Sequence, residues 1–488
     1  MRLTDLIPEA DRSLEKIEIR GITADSRDVA EGFLFVAIKG TSLDGHAYIA
    51  EAEKAGAAAV LAMDAPPESA GIPIIRVADT RAALARAAAA FYQKQPGIIA
   101  AVTGTNGKTS VAEFLRQIWE RVGWTSASIG TLGLRGKTLK TLGSFSSLTT
   151  PDTVSLHEGV AMLQQEGITT LAIEASSHGI EQHRLSGLNI CLAGFTNLSR
   201  DHLDHHADME AYFNAKAMLF TDLLRDGGVA VINIDDEHGR RLQKMISSRP
   251  VHILTVGHHA DADLRILSAQ TYTGGMTVKV SFENSEFTLA LALIGAFQAE
   301  NAMLAAGLAY GSGLAMDHAL LSLPYVKPAP GRMQAVPGHP GGGQVIIDYA
   351  HTPDALKTAL ATLREAGTGR LGVVFGCGGD RDQGKRPEMG KIAADLADFA
   401  IITDDNPRSE DPAAIRAEIR STCPDATETG DRSLAIRQGI QALGRGDILL
   451  IAGKGHEENQ LIGSETLPFS DEATVAAILR SLPREASA

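Results

Sequence analysis

Ile98-Ile99-Ala100-Ala101-Val102-Thr103-Gly104-Thr105-Asn106-Gly107-Lys108-Thr109-Ser110 is the stretch on which the reading of the fold turns. Its apolar beginning reads as a strand buried on both faces, and Pro96-Gly97 breaks the chain just before it. After the glycine turn, Val111, Phe114, Leu115, Ile118 and Val122 recur at helical spacing. Strand, glycine loop and helix in that order make a phosphate cradle. Glycines let backbone N–H groups close on phosphate oxygens, and the helix N-terminus adds its positive dipole end. Gly104, Thr105, Asn106, Gly107, Lys108, Thr109 and Ser110 are therefore the candidate ATP-binding loop, with Lys108 reaching the β/γ-phosphates and the Thr109 hydroxyl holding Mg²⁺. The pattern is a variant, because Val102 stands where a glycine five residues before Gly107 is usual. A GTPase-type switch needs Asn-Lys-x-Asp, and no Asn-Lys pair occurs in the chain.

Outward from this stretch, apolar runs at 171–174, 190–195 and 229–234 alternate with helical segments, the pattern of a parallel sheet covered on both faces. Residues 263–294 alternate around Gly274-Gly275 and predict antiparallel hairpins on the edge of a middle domain. Pro324, Pro328, Pro330 and Pro337 read as a linker, and a third α/β unit follows with strands at 345–348, 371–375, 399–403 and 448–452. The expected fold class is α/β in three domains: 1–89, a central ATPase at 90–329 with a parallel sheet and antiparallel edge hairpins, and a Rossmann-like domain at 330–488.

The chain has 488 residues, with 45 basic against 59 acidic side chains and a formal charge of −14. That field argues against nucleic acid or an anionic membrane as partner. Cys191, Cys377 and Cys423 lie too far apart for a short metal motif or a disulfide framework, which suits a reducing cytoplasm. No apolar run reaches the ~18 residues of a membrane span. The expectation is a cytoplasmic protein that acts on small molecules as a monomer.

Glu174 ends an apolar strand, where parallel sheets bind ligands, and leads into Ala175-Ser176-Ser177-His178-Gly179. Thr196-Asn197-Leu198-Ser199-Arg200-Asp201-His202-Leu203-Asp204-His205-His206 packs histidines and aspartates just past another strand, as a metal-type loop would. Lys216 lies on a helix predicted at 209–224, with Tyr212, Leu219 and Leu223 on its other face; spacing alone reads it as a solvated lysine.

The order of these segments resembles the Mur ligases, and among them the member that adds meso-diaminopimelate. The matching segments are Asp25-Ser26-Arg27, the phosphate loop, Thr149-Thr150-Pro151-Asp152, Glu174 to Gly179, Gln182-His183-Arg184 and Asn197 to His205. They continue with Gly331-Arg332-Met333, Asp348-Tyr349-Ala350-His351-Thr352-Pro353-Asp354, Phe375 to Pro387, Asp404-Asp405-Asn406-Pro407-Arg408 and Gly453 to Glu457. The resemblance implies a ligase of peptidoglycan synthesis that extends UDP-N-acetylmuramoyl-L-alanyl-D-glutamate. In it ATP phosphorylates the terminal carboxylate, the incoming amine attacks the acyl phosphate, and phosphate leaves.

Carried over residue by residue, Thr109, Glu174 and His202 look like Mg²⁺ ligands, and Lys216 matches a lysine that CO₂ carbamylates to a further ligand. Lys108, Lys216 and His202 are then the expected catalytic residues. Ser26, Thr149, Thr150, Ser176, Gln182 and Arg184 match positions that hold the UDP-muramoyl peptide. Asn301, Arg332 and Asp348 match nucleotide contacts outside the loop. In the last domain Arg408 has the geometry to grip the far carboxylate of diaminopimelate by two parallel hydrogen bonds, with Pro407 stiffening its approach. Asp405 and Glu457 would take the distal ammonium and Arg386 the other carboxylate, with Asn406 and Gly453 completing the site. Leu148 and Thr41-Ser42-Leu43 depart from the family pattern near the uracil and sugar contacts. The competing readings are the same ligase using L-lysine, a folylpolyglutamate synthase, and a nucleotide-sensing UDP-sugar-binding protein without ligase activity.

Overall fold

Strands form where the apolar runs predict them. Ile98–Thr103, Ile190–Phe195, Leu371–Phe375 and Ile448–Ala452 have the predicted limits, and Thr170–Glu174, Val229–Asn233, Gln344–Asp348 and Phe399–Ile402 differ at one end by a residue. The structure is a computed structural model that describes residues 1–40, 43–64, 71–137, 148–199, 205–272 and 274–483. Two compact units make up the chain: residues 1–264 with 304–319, and residues 265–303 with 320–488.

The first unit holds a parallel sheet of Gly21–Thr23, Phe33–Val36, Ala59–Ala62 and Ile74–Arg76, in sequence order. Helix Thr80–Tyr92 starts at Asp79, whose carboxylate accepts the Arg81 and Ala82 N–H groups that the first turn leaves without partners. It packs Ala83, Leu84 and Ala87 into one core with Leu34, Val36 and Leu61. The larger sheet of this unit runs His252–Gly257, Val229–Asn233, Ile190–Phe195, Ile98–Thr103, Thr170–Glu174, Ser126–Gly130 and Gly133–Arg135. All neighbours are parallel except the last pair. The phosphate-loop strand is thus flanked on both sides by strands that come later in the chain. Such a reversal of strand order opens a crevice at the carboxyl ends.

In the second unit, Leu264–Tyr272, Gly275–Phe282 and Ser285–Leu291 form the expected antiparallel meander, whose residues group with this unit. A six-stranded sheet follows in the order Gln334–Val336, Gln344–Asp348, Ile448–Ala452, Leu371–Phe375, Phe399–Ile402 and Thr427–Glu428. It is parallel apart from its first strand, a Rossmann-like arrangement. All three cysteines are buried and unbridged. Among the described residues no helix is long and apolar enough to cross a membrane.

Candidate active site

Gly104 leaves its strand at φ +146, and a Cβ there would lie 1.8 Å from the Thr196 Oγ1, so only glycine fits. That hydroxyl donates to the Asn106 carbonyl at 2.5 Å. The Asn106 N–H donates to the Asn197 Oδ1 at 3.0 Å, and the Thr105 N–H to the Asn197 carbonyl at 2.9 Å. The loop is therefore clamped from the end of the neighbouring strand. Gly107, left-handed at φ +88, starts helix Lys108–Arg121. The Lys108 Nζ bends back to the carbonyls of Gly104 and Thr105, at 2.9 and 2.8 Å.

Glu174 is buried at the end of its strand and gathers donors from Thr109 and Thr131 among the described residues. The Thr109 hydroxyl reaches its Oε2 at 2.9 Å, the Thr131 N–H its Oε1 at 2.8 Å, and the Thr131 hydroxyl its Oε2 at 3.1 Å. Thr131 also meets Thr149, hydroxyl to hydroxyl, at 3.1 Å. Thr131 is missing from the sequence reading, although a polar residue just past the strand Ser126–Gly130 stands where ligands meet such sheets. A buried carboxylate and a threonine hydroxyl are hard oxygen donors of the kind Mg²⁺ takes. His202, the third expected ligand, lies outside the described residues.

Lys216 overturns its spacing-based reading. It is 1% exposed, and its Nζ donates to the Gly104 carbonyl at 2.9 Å. The ring of Tyr212, one turn earlier, lies 4.2 Å from that Nζ. Tyr212 therefore shares the face of Lys216 rather than lying opposite, as i,i+4 geometry requires. The α-helix is Met209–Met218, and a π-helical turn, Leu219–Leu223, completes the predicted span.

From Glu174 a chain of hydrogen bonds leads to a cavity of about 740 Å³ lined by Thr23, Asp25, Arg81, Tyr92, Gln182 and Arg184, among others. The Thr150 Oγ1 donates to the Glu174 carbonyl at 2.8 Å and lies 3.0 Å from the Ser176 Oγ. Arg184 donates to the Thr150 carbonyl at 2.7 Å and to the Gln182 Oε1 at 2.7 Å. Burial pulls the Arg184 guanidinium below its ordinary range, opposed by the Asp152 carboxylate. Thr149, Thr150, Ser176, Gln182 and Arg184 are thus brought together. Ser26 opens the short helix Ser26–Asp28 behind its Asp25 cap, and Asp25 faces the same cavity.

In the second unit, the crevice at the carboxyl ends of the sheet collects the other motifs. Asp348 accepts the Met333 and Ala350 N–H groups, at 2.7 and 2.8 Å, and burial pushes its carboxyl up against the opposing Arg332 charge. Arg332 stacks over Tyr349 with 4.6 Å from its guanidinium carbon to the ring centre. Asn301, on helix Ala296–Gly311, donates to Gln298 at 3.0 Å. Asp405 is buried and, among the described residues, nothing hydrogen-bonds its Oδ2; burial foremost pushes its carboxyl up. A Cβ on Gly453 would meet that oxygen at 2.6 Å, so glycine there is required. Arg408 sits at φ +52 and donates through Nη1 to the Gly379 carbonyl at 2.8 Å.

Arg386 departs from expectation. Its side chain is fully buried, and its guanidinium is held by Glu410 at 2.9 Å and Glu418 at 3.1 Å. It is expected to take the other carboxylate of diaminopimelate, yet two carboxylates of the protein already satisfy its charge. Arg381, on the preceding loop, is exposed and flanks Gly378 together with the Arg408 guanidinium. It is the cation on that loop better placed for a ligand.

A phosphate loop beside a buried carboxylate, and a crevice of fixed charges in a Rossmann-like unit, define an α/β protein of the nucleotide-binding class. The chain belongs to the Mur ligase family, whose members are ATP-dependent amide-bond-forming ligases. Residues 18–92 match the Mur ligase family catalytic domain, 102–309 the Mur ligase middle domain, and 331–455 the Mur ligase glutamate ligase domain. The UDP-N-acetylmuramoyl-L-alanyl-D-glutamate–2,6-diaminopimelate ligase of Bradyrhizobium diazoefficiens is 48% identical over 488 residues, covering 99% of each chain. The ligase of the same name from Brucella melitensis is 47% identical, over 95% of this chain and 94% of its own. A solved structure of a ligase with that name superposes with a TM-score of 0.74 at 33% identity, covering 99% of each chain.

Proposed function

We propose that the chain joins meso-2,6-diaminopimelate to UDP-N-acetylmuramoyl-L-alanyl-D-glutamate in the cytoplasm, forming the tripeptide, ADP and phosphate. The observation that carries this reading is the hydrogen-bonded path from Gln182 and Arg184 in the cavity, through Thr150, to Glu174 and Thr109 at the phosphate loop. A nucleotide-sugar bound in the cavity would extend its peptide carboxylate along that path toward the γ-phosphate. Phosphoryl transfer to this carboxylate releases ADP and makes a good leaving group. The amine of the second substrate then attacks the acyl carbon, loses a proton, and expels phosphate.

Thr109 and Glu174 would hold Mg²⁺, which when bound offsets the charge gathered by ATP and the carboxylate. Lys108 would turn from its carbonyl contacts to the phosphates. Lys216 as a carbamate would supply a further anionic ligand. Asp405, whose Oδ2 meets no hydrogen-bond partner among the described residues, and Glu457 suit the distal ammonium of the amino acid, and Arg408 with Arg381 suits its carboxylates.

The test is phosphate release by the purified enzyme with ATP, Mg²⁺ and the UDP-muramoyl dipeptide across a panel of amino acids. Release should require meso-diaminopimelate. Release with L-lysine alone would favour the lysine-adding ligase, and no amino-acid dependence would favour a sensor.

A further inference from the structure

Lys454 lies between two glycines of positive φ, Gly453 at +115 and Gly455 at +55, and its side chain is fully buried. An ammonium in that position is costly unless every donor is used. Here all three are. Its Nζ donates to the Asn406 Oδ1 at 3.0 Å, the Glu457 Oε2 at 2.9 Å and the Asn459 carbonyl at 2.7 Å. The Asn406 amide closes the ring by donating to the same Glu457 oxygen at 2.8 Å.

The network extends to the rest of the crevice. The Leu461 N–H donates to the Asn406 Oδ1 at 3.0 Å, and the Gln460 side chain to the Asp405 carbonyl at 2.8 Å. Asn459–Ile462 is one strand of a two-stranded hairpin with Glu465–Pro468. The Arg408 N–H donates to the Leu461 carbonyl at 3.0 Å, and the Gly463 N–H to the Arg408 carbonyl at 2.7 Å. One buried cation therefore ties together the loop bearing Asp405 to Arg408, the Glu457 carboxylate and the hairpin that brackets Arg408. Burial works against the Glu457 charge, but hydrogen bonds from Lys454 and Asn406 and the Lys454 charge outweigh it and hold that carboxyl below its usual range.

We propose that Lys454 is a positioning residue for amino-acid selection. It holds Glu457 anionic and turned so that Oε1, with Oε2 already taken, meets the side-chain ammonium of the incoming amino acid, and it keeps Arg408 in register beside it. This rests on the reading of Asp405, Arg408 and Glu457 as the amino-acid subsite. A lysine serving stability alone would make no distinction among the three substrates.

The experiment measures KM for diaminopimelate, ATP and the UDP-dipeptide separately in wild type, Lys454→Met, Glu457→Gln and the double variant. Lys454→Met should raise KM for diaminopimelate by about 30-fold or more and leave the other two within about threefold, since removing the buried ammonium takes from the partly exposed Glu457 carboxylate the charge and hydrogen bond that orient it. In the Glu457→Gln background the same change should add less than about threefold, because groups in one network are not additive. Lys454→Gln, a neutral donor of similar reach, should give the same pattern if the methionine variant does not fold. A parallel rise in all three KM values, or losses that simply multiply in the double variant, would overturn the proposal while leaving the substrate reading intact. Wild-type enzyme that shows no diaminopimelate-dependent turnover would overturn the substrate reading, and this role with it.

Discussion

Lys108 and Lys216 approach the Gly104 carbonyl from two different helices, each within hydrogen-bond distance of the same oxygen. Two ammonium groups around one buried acceptor repel strongly where water is scarce. A carbamate on Lys216 would replace that repulsion by attraction and give the metal site another oxygen ligand. Lys216→Ala should therefore lower turnover about 10²–10³-fold, the scale of losing one electrostatic stabiliser in a site. Formate or acetate should restore part of it. In CO₂-depleted buffer the wild type should lose activity and regain it with bicarbonate. Full turnover without CO₂ would end the idea. None of this was legible from spacing, because the Gly104 carbonyl that accepts from Lys216 lies 112 residues away in the chain. The contact of Thr109 with Glu174, by contrast, joins two motifs that each follow a parallel strand, and in the structure those strands are neighbours.

At the scale of elements, long buried strands were readable because a strand covered on both faces is an unbroken apolar run, bounded by glycine or a polar residue. The short edge strands Ile74–Arg76 and Thr427–Glu428 carry too few residues for any such signal, and the exposed hairpin at Asn459–Ile462 and Glu465–Pro468 shows little alternation. Helix Thr153–Gln165, capped by Asp152, buries His157 with its Nε2 3.0 Å from the Ser186 carbonyl. Burial pushes this imidazole down to about 4, opposed by the Ser186 contact. Its folded pKa lies below the unfolded value of about 6.5, so the folded state loses stability as pH falls from about 6.5 toward 4, by up to about 3 kcal/mol. His157→Gln keeps a donor for the Ser186 carbonyl and cannot titrate. Urea unfolding at pH 7.5 and pH 5 should show a smaller stability loss in the variant than in wild type. Equal losses would mean that other groups set this limb.

For the molecule as a whole, the cavity with its path to the phosphate loop lies in the first unit, while the motifs expected to choose the amino acid lie in the second. Recognition of the two substrates should then be separable by mutation. The Asp405–Arg408 and Gly453–Glu457 motifs each follow a strand of one sheet and so could be read from the sequence, whereas the burial of Arg386 could not. That burial, with the Glu410 and Glu418 contacts, sets it apart from an exposed arginine. Arg408 remains the cation proposed for the far carboxylate. Its left-handed backbone is held on both sides by the hairpin, and one arm of its guanidinium is fixed on the Gly379 carbonyl. A planar, immobilised guanidinium is suited to a carboxylate and offers nothing to the bare ammonium end of lysine. Removing it should cost about 2–4 kcal/mol, so Arg408→Ala should raise KM for diaminopimelate about 30- to 10³-fold. KM for the UDP-dipeptide should stay within about threefold, because no residue of the first unit changes. Discrimination against L-lysine should shrink in the same variant, since the wild type's preference comes from a charge that lysine leaves unpaired. A wild-type enzyme that used L-lysine and diaminopimelate equally well would show that Arg408 serves the crevice's structure and not its choice of substrate.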